Sequence, residues 1–284
     1  MTEEFKNKIY ELRKNLEKKT GEKFGPKPSV TIEAKTLDEL YFFTIYAALK
    51  YGRDYLVDEG SFKGEHRLEF DSANLVVLHP TTRPLAPQPR EGVLVTTNDK
   101  GIEDYFWNYI NNGKLEDNEH YKYGSWIVGV PKGCNFYDEH GIPRGSKINQ
   151  LEWCINHFVE KGYGNNHCSI TIGCPEGLQR YDKQYKDEQK GSTECLRQIS
   201  LKIKNNKLNA TSFWRSWDLF AGTPQNLGGI VIAMEYISEM INMKALDIGK
   251  DLSKVTPGIL YAHSDGLHIY EHNLDVSKLL VNIT

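Results

Sequence analysis

The sequence predicts an α+β fold, and three observations carry the prediction. Apolar residues recur at helical spacing in several segments, the clearest at about 3–19, 36–51 and 223–243. Two alternating runs, Leu196 to Ile203 and Leu208 to Trp214, flank Asn205-Asn206-Lys207 as the arms of a hairpin flank its turn. Finally, 284 residues without an internal repeat are enough to bury one large core, so a single domain over 1–284 is expected.

In chain order, Phe5, Ile9, Leu12 and Leu16 define the first amphipathic helix, and Gly21 is placed to stop it. Val30, Ile32 and Ala34 alternate as a strand does over 29–35. Thr36-Leu37-Asp38-Glu39 is a capping box for a helix to Tyr51, which Gly52 ends. Residues 56–63 read as loop, then 67–70 and 75–78 as strands. Pro80, Pro84, Pro87 and Pro89 make an irregular connection, read as an internal loop because too little core precedes it for a separate domain. Leu94-Val95-Thr96-Thr97 is a short strand or turn, and 101–109 a helix with Ile102, Phe106 and Tyr109 on one side. Beyond a polar loop at 111–122, Ser146 is expected to cap a helix with Ile148, Leu151, Ile155 and Phe158 as its apolar face and Gly162 as its stop. Residues 167–172 read as a strand and the polar run 179–191 as a solvated loop. Thr223 as N-cap and Pro224 at the first helical position open the long apolar helix. Residues 258–262 and 268–270 read as final strands.

Charged residues make up 26% of the chain and the net charge is −3, so no strong field points to nucleic acid or to an acidic membrane surface. No apolar stretch reaches membrane-spanning length, and Met1-Thr2-Glu3-Glu4 lacks a basic-then-apolar secretion signal, so a cytoplasmic protein is expected. Five unevenly spaced cysteines argue against a disulfide framework and for a reducing compartment. Sixteen tyrosines suit a pocket or an interface as well as a core.

The residues most able to do chemistry lie between Cys195 and Asn226. Cys195 is either a structural cysteine at a strand start or a nucleophile. A free thiol is only a few per cent thiolate at neutral pH unless a cation favours the anion. Arg197 and Arg215 are the candidate cations, because a hairpin turn at 205–206 brings 215 back toward 195. Arg215-Ser216 offers a fork of donors and a hydroxyl, which suits a phosphate. Asp218, beside Leu219 and Phe220, needs a donor, either Arg215 or a ligand ring nitrogen. The Asn226 amide both donates and accepts, so it can read a pyrimidine edge. Ser264-Asp265-Gly266-Leu267-His268-Ile269-Tyr270 adds a His/Tyr pair for hydroxyls. Cys154-x-x-His157 and His167-Cys168, with Cys174 nearby, imitate metal-ligand pairs, but they fall on an apolar helix face and on different parts of a strand. Core cysteines are the reading adopted, and no metal is expected.

The run Arg215-Ser-Trp-Asp-Leu-Phe-Ala-Gly-Thr-Pro-Gln-Asn226 resembles the Arg-Ser-x-Asp-x-x-x-Gly-x-Pro-x-Asn signature of the thymidylate synthase and pyrimidine-nucleotide hydroxymethylase family. Cys195 matches the family nucleophile on the preceding strand, His268-Ile269-Tyr270 the His-Ile-Tyr triplet, Leu94 to Thr97 a Leu-Val-Thr-Thr, and Tyr123-Gly124 a Tyr-Gly pair. The matches run in family order over about 92–272; the first ninety residues resemble it poorly. The resemblance implies a mixed β-sheet with surrounding helices, a homodimer formed through that sheet, a pyrimidine nucleoside monophosphate as substrate and 5,10-methylenetetrahydrofolate as co-substrate. Cys195 would add to C6 of the base, Asn226 would pair with the base edge, and Arg215 and Ser216 would hold the phosphate. His268 and Tyr270 would bind the sugar hydroxyl. Asp218 and Gly222 would face the pterin, and Tyr123 would join the network that removes the C5 proton.

Several positions depart from the family pattern. Cys195 is followed by Leu196 where the family has histidine, and Asn166 and His167 stand where a pair of phosphate arginines is expected from the partner subunit. Arg67, Arg144 or Arg197 are the possible substitutes. The family glutamate aligns with Asp104, with Glu103 beside it. Between Trp107 and Trp126 there is no tryptophan where methylating members carry one that shields the intermediate from water. Without that shield water could trap the intermediate as a hydroxymethyl product, whereas Asn226 favours uracil, since cytosine-specific relatives tend to carry Asp there. The resemblance thus implies folate-dependent one-carbon transfer to C5, most simply dUMP to dTMP, with a hydroxymethylase of dUMP, dCMP or CMP, or a non-catalytic nucleotide-binding relative, as the alternatives.

Overall fold

The computed structural model describes residues 2–60, 62–117, 119–182 and 193–283. The fold is α+β, with two mixed sheets where the sequence suggested one. The six-stranded sheet runs β1 (Ser29–Ala34), β4 (Ser72–Val77), β9 (Thr256–Ser264), β7 (Lys207–Trp214), β6 (Leu196–Lys204), β5 (Ser169–Thr171). The four-stranded sheet runs β2 (Arg53–Leu56), β3 (His66–Phe70), β10 (Leu267–Tyr270), β8 (Trp217–Asp218). Pairs β1/β4, β7/β9 and β8/β10 are parallel and the others antiparallel.

The two sheets are joined by their own strands. β3 passes to β4 through Asp71, β7 to β8 through Arg215-Ser216, and β9 to β10 through Asp265-Gly266. At this seam, short backbone bonds replace the regular ladder: Arg215 N–H to Cys195 O at 2.9 Å, Asp265 N–H to Trp214 O at 3.0 Å, and Trp217 N–H to Gly266 O at 2.9 Å. Gly266 sits at φ 146°, a conformation side chains resist, which explains why glycine turns that corner.

Helices α2 (Leu37–Tyr51), α5 (Gln150–Lys161) and α6 (Thr223–Asp247) pack on the six-stranded sheet. Ile230, Met234 and Ile237 of α6 meet Leu201 and Ala210 of the sheet and Leu151 of α5. One buried cluster extends from Phe5 in α1 (Thr2–Thr20) to Ile283, so the first ninety residues share the core with the rest. The 196–214 hairpin forms as expected, with Asn205 and Asn206 at φ 50° and 57°, the left-handed pair that a tight hairpin turn requires.

Several local expectations change. The helix assigned to Ser146 begins only at Gln150, capped by Asn149, whose side chain accepts from Glu152 N–H at 2.9 Å. Ser146 instead accepts from Ile148 N–H at 3.1 Å, and Ile148 is exposed. Residues 94–97 form no strand, since 94 and 96 follow no ladder partner and Leu94 faces solvent. α3 (Asp99–Tyr105) starts earlier than expected, capped by Asn98, and widens into a π turn at Phe106–Ile110. Gly222 rather than Thr223 is the cap of α6, and Thr223 donates its hydroxyl back to Asp218 O at 3.1 Å. β2, α4 (Tyr123–Ile127) and α7 (Leu274–Leu280) went unrecognised because each is short and lacks a clear period. Pro175–Tyr181 is a 3-10 turn, and residues 183–191 of the expected polar loop lie outside the described residues. Among the described residues, no helix is long and apolar enough to cross a membrane.

Candidate active site

A cleft of ≈ 240 Å³ opens where the seam meets α3, α4 and the start of α6. Cys195, Tyr123, Ser216, Asp218, Gly222 and Asn226 line it, together with Tyr105, Tyr109, Tyr121 and Trp217. Residues more than a hundred positions apart in sequence therefore meet because β6, β7 and β8 converge at one level of the fold.

Arg215 lies behind the cysteine and fixes the segment that carries it. Its Nε donates to Glu194 O at 3.1 Å, and Nη2 donates to Thr193 O at 2.7 Å and approaches Cys195 Sγ at 3.8 Å. The guanidinium thus orders the Thr193–Cys195 backbone and sets positive charge beside the sulfur. Arg197 is not in the cleft. It approaches Glu194, whose side chain is buried behind Cys195 and accepts from Trp126 Nε1 at 2.7 Å.

The far wall of the cleft is aromatic. Tyr105 and Tyr109 stack at 5.2 Å, Tyr109 meets Tyr123 edge-on at 5.3 Å, and Tyr121 lies 5.8 Å from Tyr123. Burial pushes all four phenols above their ordinary range, so they stand around the thiol as neutral donors. Tyr123 OH accepts from Leu196 N–H at 3.4 Å, which ties the short helix α4 to the strand that starts at the nucleophile. Tyr105 reaches the cleft because Gly228 and Gly229 of α6 leave room. A Cβ on Gly228 would lie 2.6 Å from Ile102, and one on Gly229 would lie 2.7 Å from the Tyr105 ring.

Asn226, in the first turn of α6, is held at both ends. Trp217 Nε1 donates to Oδ1 at 3.0 Å, and Nδ2 donates to Tyr105 OH at 2.7 Å. Asp218 accepts from Ala221 N–H at 3.0 Å, and burial raises its carboxyl above the ordinary range. Gly222 caps α6 between the two, where an added Cβ would press on Asp218 O at 3.1 Å and Asn226 Oδ1 at 3.2 Å.

His268, Tyr270 and Arg67 lie on β10 and β3, next to β8 and outside the cleft lining. His268 pairs in register with Asp218 across the parallel strands. Its Nδ1 donates to Gly266 O at 2.8 Å, while Nε2 is buried without a hydrogen-bond partner among the described residues. Burial, reinforced by the Arg67 charge, pushes its pKa down to about 3, so the imidazole is neutral and Nε2 presents a lone pair. Arg67 Nε lies 2.6 Å from Glu69 Oε2, an ion pair not aligned as a hydrogen bond, and burial raises the Glu69 carboxyl. The Tyr270 ring sits edge-on to His268 at 4.6 Å.

Glu103 and Asp104 are not brought to the cleft. Both lie on the exposed side of α3, paired with Lys100 at 3.5 Å and 2.8 Å, because helical geometry turns Tyr105 inward instead. Arg144 donates to Glu119 O at 2.8 Å, away from the cysteine. Cys154 and Cys168 are buried in the core, while His157 Nε2 faces His167 Nδ1 at 2.9 Å on the outside. Among the described residues, no group of three His, Cys, Asp or Glu side chains is arranged to hold a metal. The residues that sequence reasoning missed are Tyr105, Tyr109, Tyr121, Trp217 and Glu194. The spacing of four between Tyr105 and Tyr109 was the available signal for a shared helical face.

No family model matches the chain. It is 22% identical over 250 residues to a protein of Methanosarcina mazei, covering 88% of this chain and 94% of that one. It is 23% identical over 193 residues to one of Methanothermobacter thermautotrophicus, covering 68% and 72%. A protein of Methanocaldococcus jannaschii is 24% identical over 172 residues, covering 61% and 64%. All three are named "putative thymidylate synthase". At this distance the similarity supports a thymidylate synthase-type enzyme at the level of the family, and no particular reaction within it.

Proposed function

We propose that this chain transfers a one-carbon unit from 5,10-methylenetetrahydrofolate to C5 of a pyrimidine nucleoside monophosphate, most simply making dTMP from dUMP. The observation that carries the reading is the meeting of Cys195, Asn226, Ser216, Asp218 and Gly222 in one cleft, with Arg215 on the sulfur. The distant relatives' name points the same way.

C5 of uracil is a weak nucleophile. Addition of the Cys195 sulfur to C6 forms an S–C6 bond and moves the ring π electrons onto C5 and the 4-carbonyl, splitting one difficult step into two easier ones. Arg215 opposes the charge on the departing and returning sulfur. Asn226 fixes the base edge, and Ser216 with the free guanidinium donors of Arg215 contacts the phosphate. The neutral Nε2 of His268 accepts from a sugar hydroxyl, which gives its unpaired lone pair a partner. After C5 has formed its new carbon bond, its proton is relayed along the hydroxyls of Tyr123, Tyr121 and Tyr109, each passing one on as it takes one up, to solvent water at the mouth of the cleft. Bound folate supplies the one-carbon unit and, for methylation, the hydride. Asp218 and Gly222 at the mouth of α6 are the residues that would face it. Expulsion of the Cys195 sulfur then restores the ring. Pairing of two copies through the sheet belongs to the same reading and rests on the resemblance alone.

A second reading, hydroxymethylation of dUMP, dCMP or CMP, is favoured by the tyrosine-lined wall. Trp107 is exposed and the cleft has no tryptophan from the 108–125 segment to exclude water from the intermediate. One assay separates the readings. Purified protein with labelled methylenetetrahydrofolate and each nucleotide should give product with dUMP, and dihydrofolate formation marks methylation whereas tetrahydrofolate marks hydroxymethylation. Absence of label transfer to all of dUMP, dCMP, UMP and CMP would overturn both.

A further inference from the structure

We infer that Trp217 determines which pyrimidine this site accepts, by fixing the polarity of the Asn226 amide. The inference rests on the functional reading above and assigns base selectivity to a residue outside the base-contacting pair.

An indole N–H only donates. Trp217 Nε1, 3.0 Å away, therefore faces the amide oxygen of Asn226 and not its nitrogen. The nitrogen is left facing the Tyr105 hydroxyl at 2.7 Å. Turning the amide over would set its N–H₂ against the indole N–H, losing one bond and creating a donor–donor contact. Neither anchor is free to follow. Trp217 is buried, stacked on Trp214 at 4.5 Å with only 4° between planes, and its backbone N–H is held by Gly266 O at 2.9 Å. Tyr105 is pressed against Gly229 and stacked on Tyr109 at 5.2 Å.

With those two bonds made, the amide keeps one oxygen lone pair and one N–H for a ligand. Uracil presents a donor at N3 and an acceptor at position 4. Cytosine presents an acceptor at N3 and a donor at position 4. The two edges have the same shape and opposite polarity, so an amide free to turn over would serve both. A ring tethered at C6 to Cys195 meets Asn226 in one register, and an amide of fixed polarity then matches one base and opposes the other. On the reading adopted here the matched base is uracil.

The test measures two quantities for dUMP and dCMP: nucleotide affinity without folate, by calorimetry, and kcat/KM with methylenetetrahydrofolate. Wild type is expected to prefer dUMP by about 100-fold or more, the size of two opposed hydrogen bonds. Trp217→Phe keeps a ring to stack on Trp214 but removes the N–H, and should compress the preference by about tenfold in both quantities. Tyr105→Phe leaves the indole N–H on the amide oxygen, and because a hydroxyl can donate to the amide as readily as accept from it, the preference should persist, which makes this variant the control. If Trp217→Phe folds poorly, the wild type's own preference remains the test. A wild type that does not discriminate, or a Trp217→Phe variant that weakens both nucleotides alike and leaves the ratio intact, overturns the inference. Failure of the functional reading looks different. If both nucleotides bind, the ratio shifts in Trp217→Phe, and neither is turned over, the lock stands and the proposed reaction falls.

Discussion

Two polar regions adjoin the same strands and are built on opposite terms. At the cleft, polar groups are held by protein partners: Arg215 is on Thr193 and Glu194 carbonyls, Asn226 is between Trp217 and Tyr105, and Asp218 is on Ala221 N–H. One strand away, at β10 and β3, His268 Nε2 and Glu69 Oε2 are buried without hydrogen bonds, and Arg67 meets Glu69 out of alignment. The first region is rigid before any ligand arrives, as a site needs if its geometry is to do chemistry. The second carries unmet hydrogen-bonding capacity, which costs stability unless a ligand completes it.

The sharpest way to break that comparison is at the sulfur. Cys195→Ser should reduce turnover by a factor on the order of 10³ or greater while leaving nucleotide affinity within a few-fold, because the pocket is organised around Arg215 rather than by the thiol. A similar loss of affinity and turnover would return Cys195 to a structural role. The next test sets one region against the other. Asn226→Ala strands the Trp217 N–H and the Tyr105 hydroxyl, and should cost about 1–3 kcal/mol of unfolding free energy as well as base binding. His268→Phe removes the unpaired Nε2 together with the Nδ1–H bond to Gly266 O, a carbonyl that still accepts from Trp217 N–H, so denaturant unfolding should change by no more than about 1 kcal/mol, yet nucleotide affinity should fall about tenfold. Equal losses of stability in the two variants would erase the distinction.

The smallest effect concerns Asp218. Burial raises its folded pKa above the value of the unfolded chain, so its ionisation destabilises the fold as pH rises through the folded pKa, and the cost is absent below about pH 3.9. Asp218→Asn keeps an acceptor for Ala221 N–H and should raise Tm by about 2–4 °C at pH 7, with the gain vanishing near pH 3.5. Thermal melts at the two pH values decide it, and a gain of equal size at both would mean that charge is not the cause.

Much of the fold could be read from the chain. The 196–214 hairpin, the capping box at Thr36 and the Gly-Thr-Pro opening of α6 are local signals with local causes, and each element appears where the pattern put it. Strands β3 and β10 were legible, but the second sheet they belong to was not, because β2 and β8 are only four and two residues long and the pairing is set by neighbours far away in sequence. The site divides in the same way. Cys195, Arg215, Ser216, Asp218, Gly222 and Asn226 are close in sequence and fall together. Glu103 and Asp104 lie two places and one place from Tyr105, and rotation along α3 settles which of the three faces the cleft. Trp217 carries no signal of its own in the sequence, and its part in orienting Asn226 follows only from where Asn226 is placed.

The seam between the sheets has one more implication. Among the described residues, Asp71, Arg215-Ser216 and Asp265-Gly266 separate paired backbone in one sheet from paired backbone in the other, at three strand-to-strand passages. The imidazole sits on one of these strands and the thiol is tied to another through Arg215 N–H on Cys195 O, so both are mounted, a fixed span apart, on a common frame of paired backbone. A molecule long enough to touch both ends is measured against that span, and one too short gains contact at one end only.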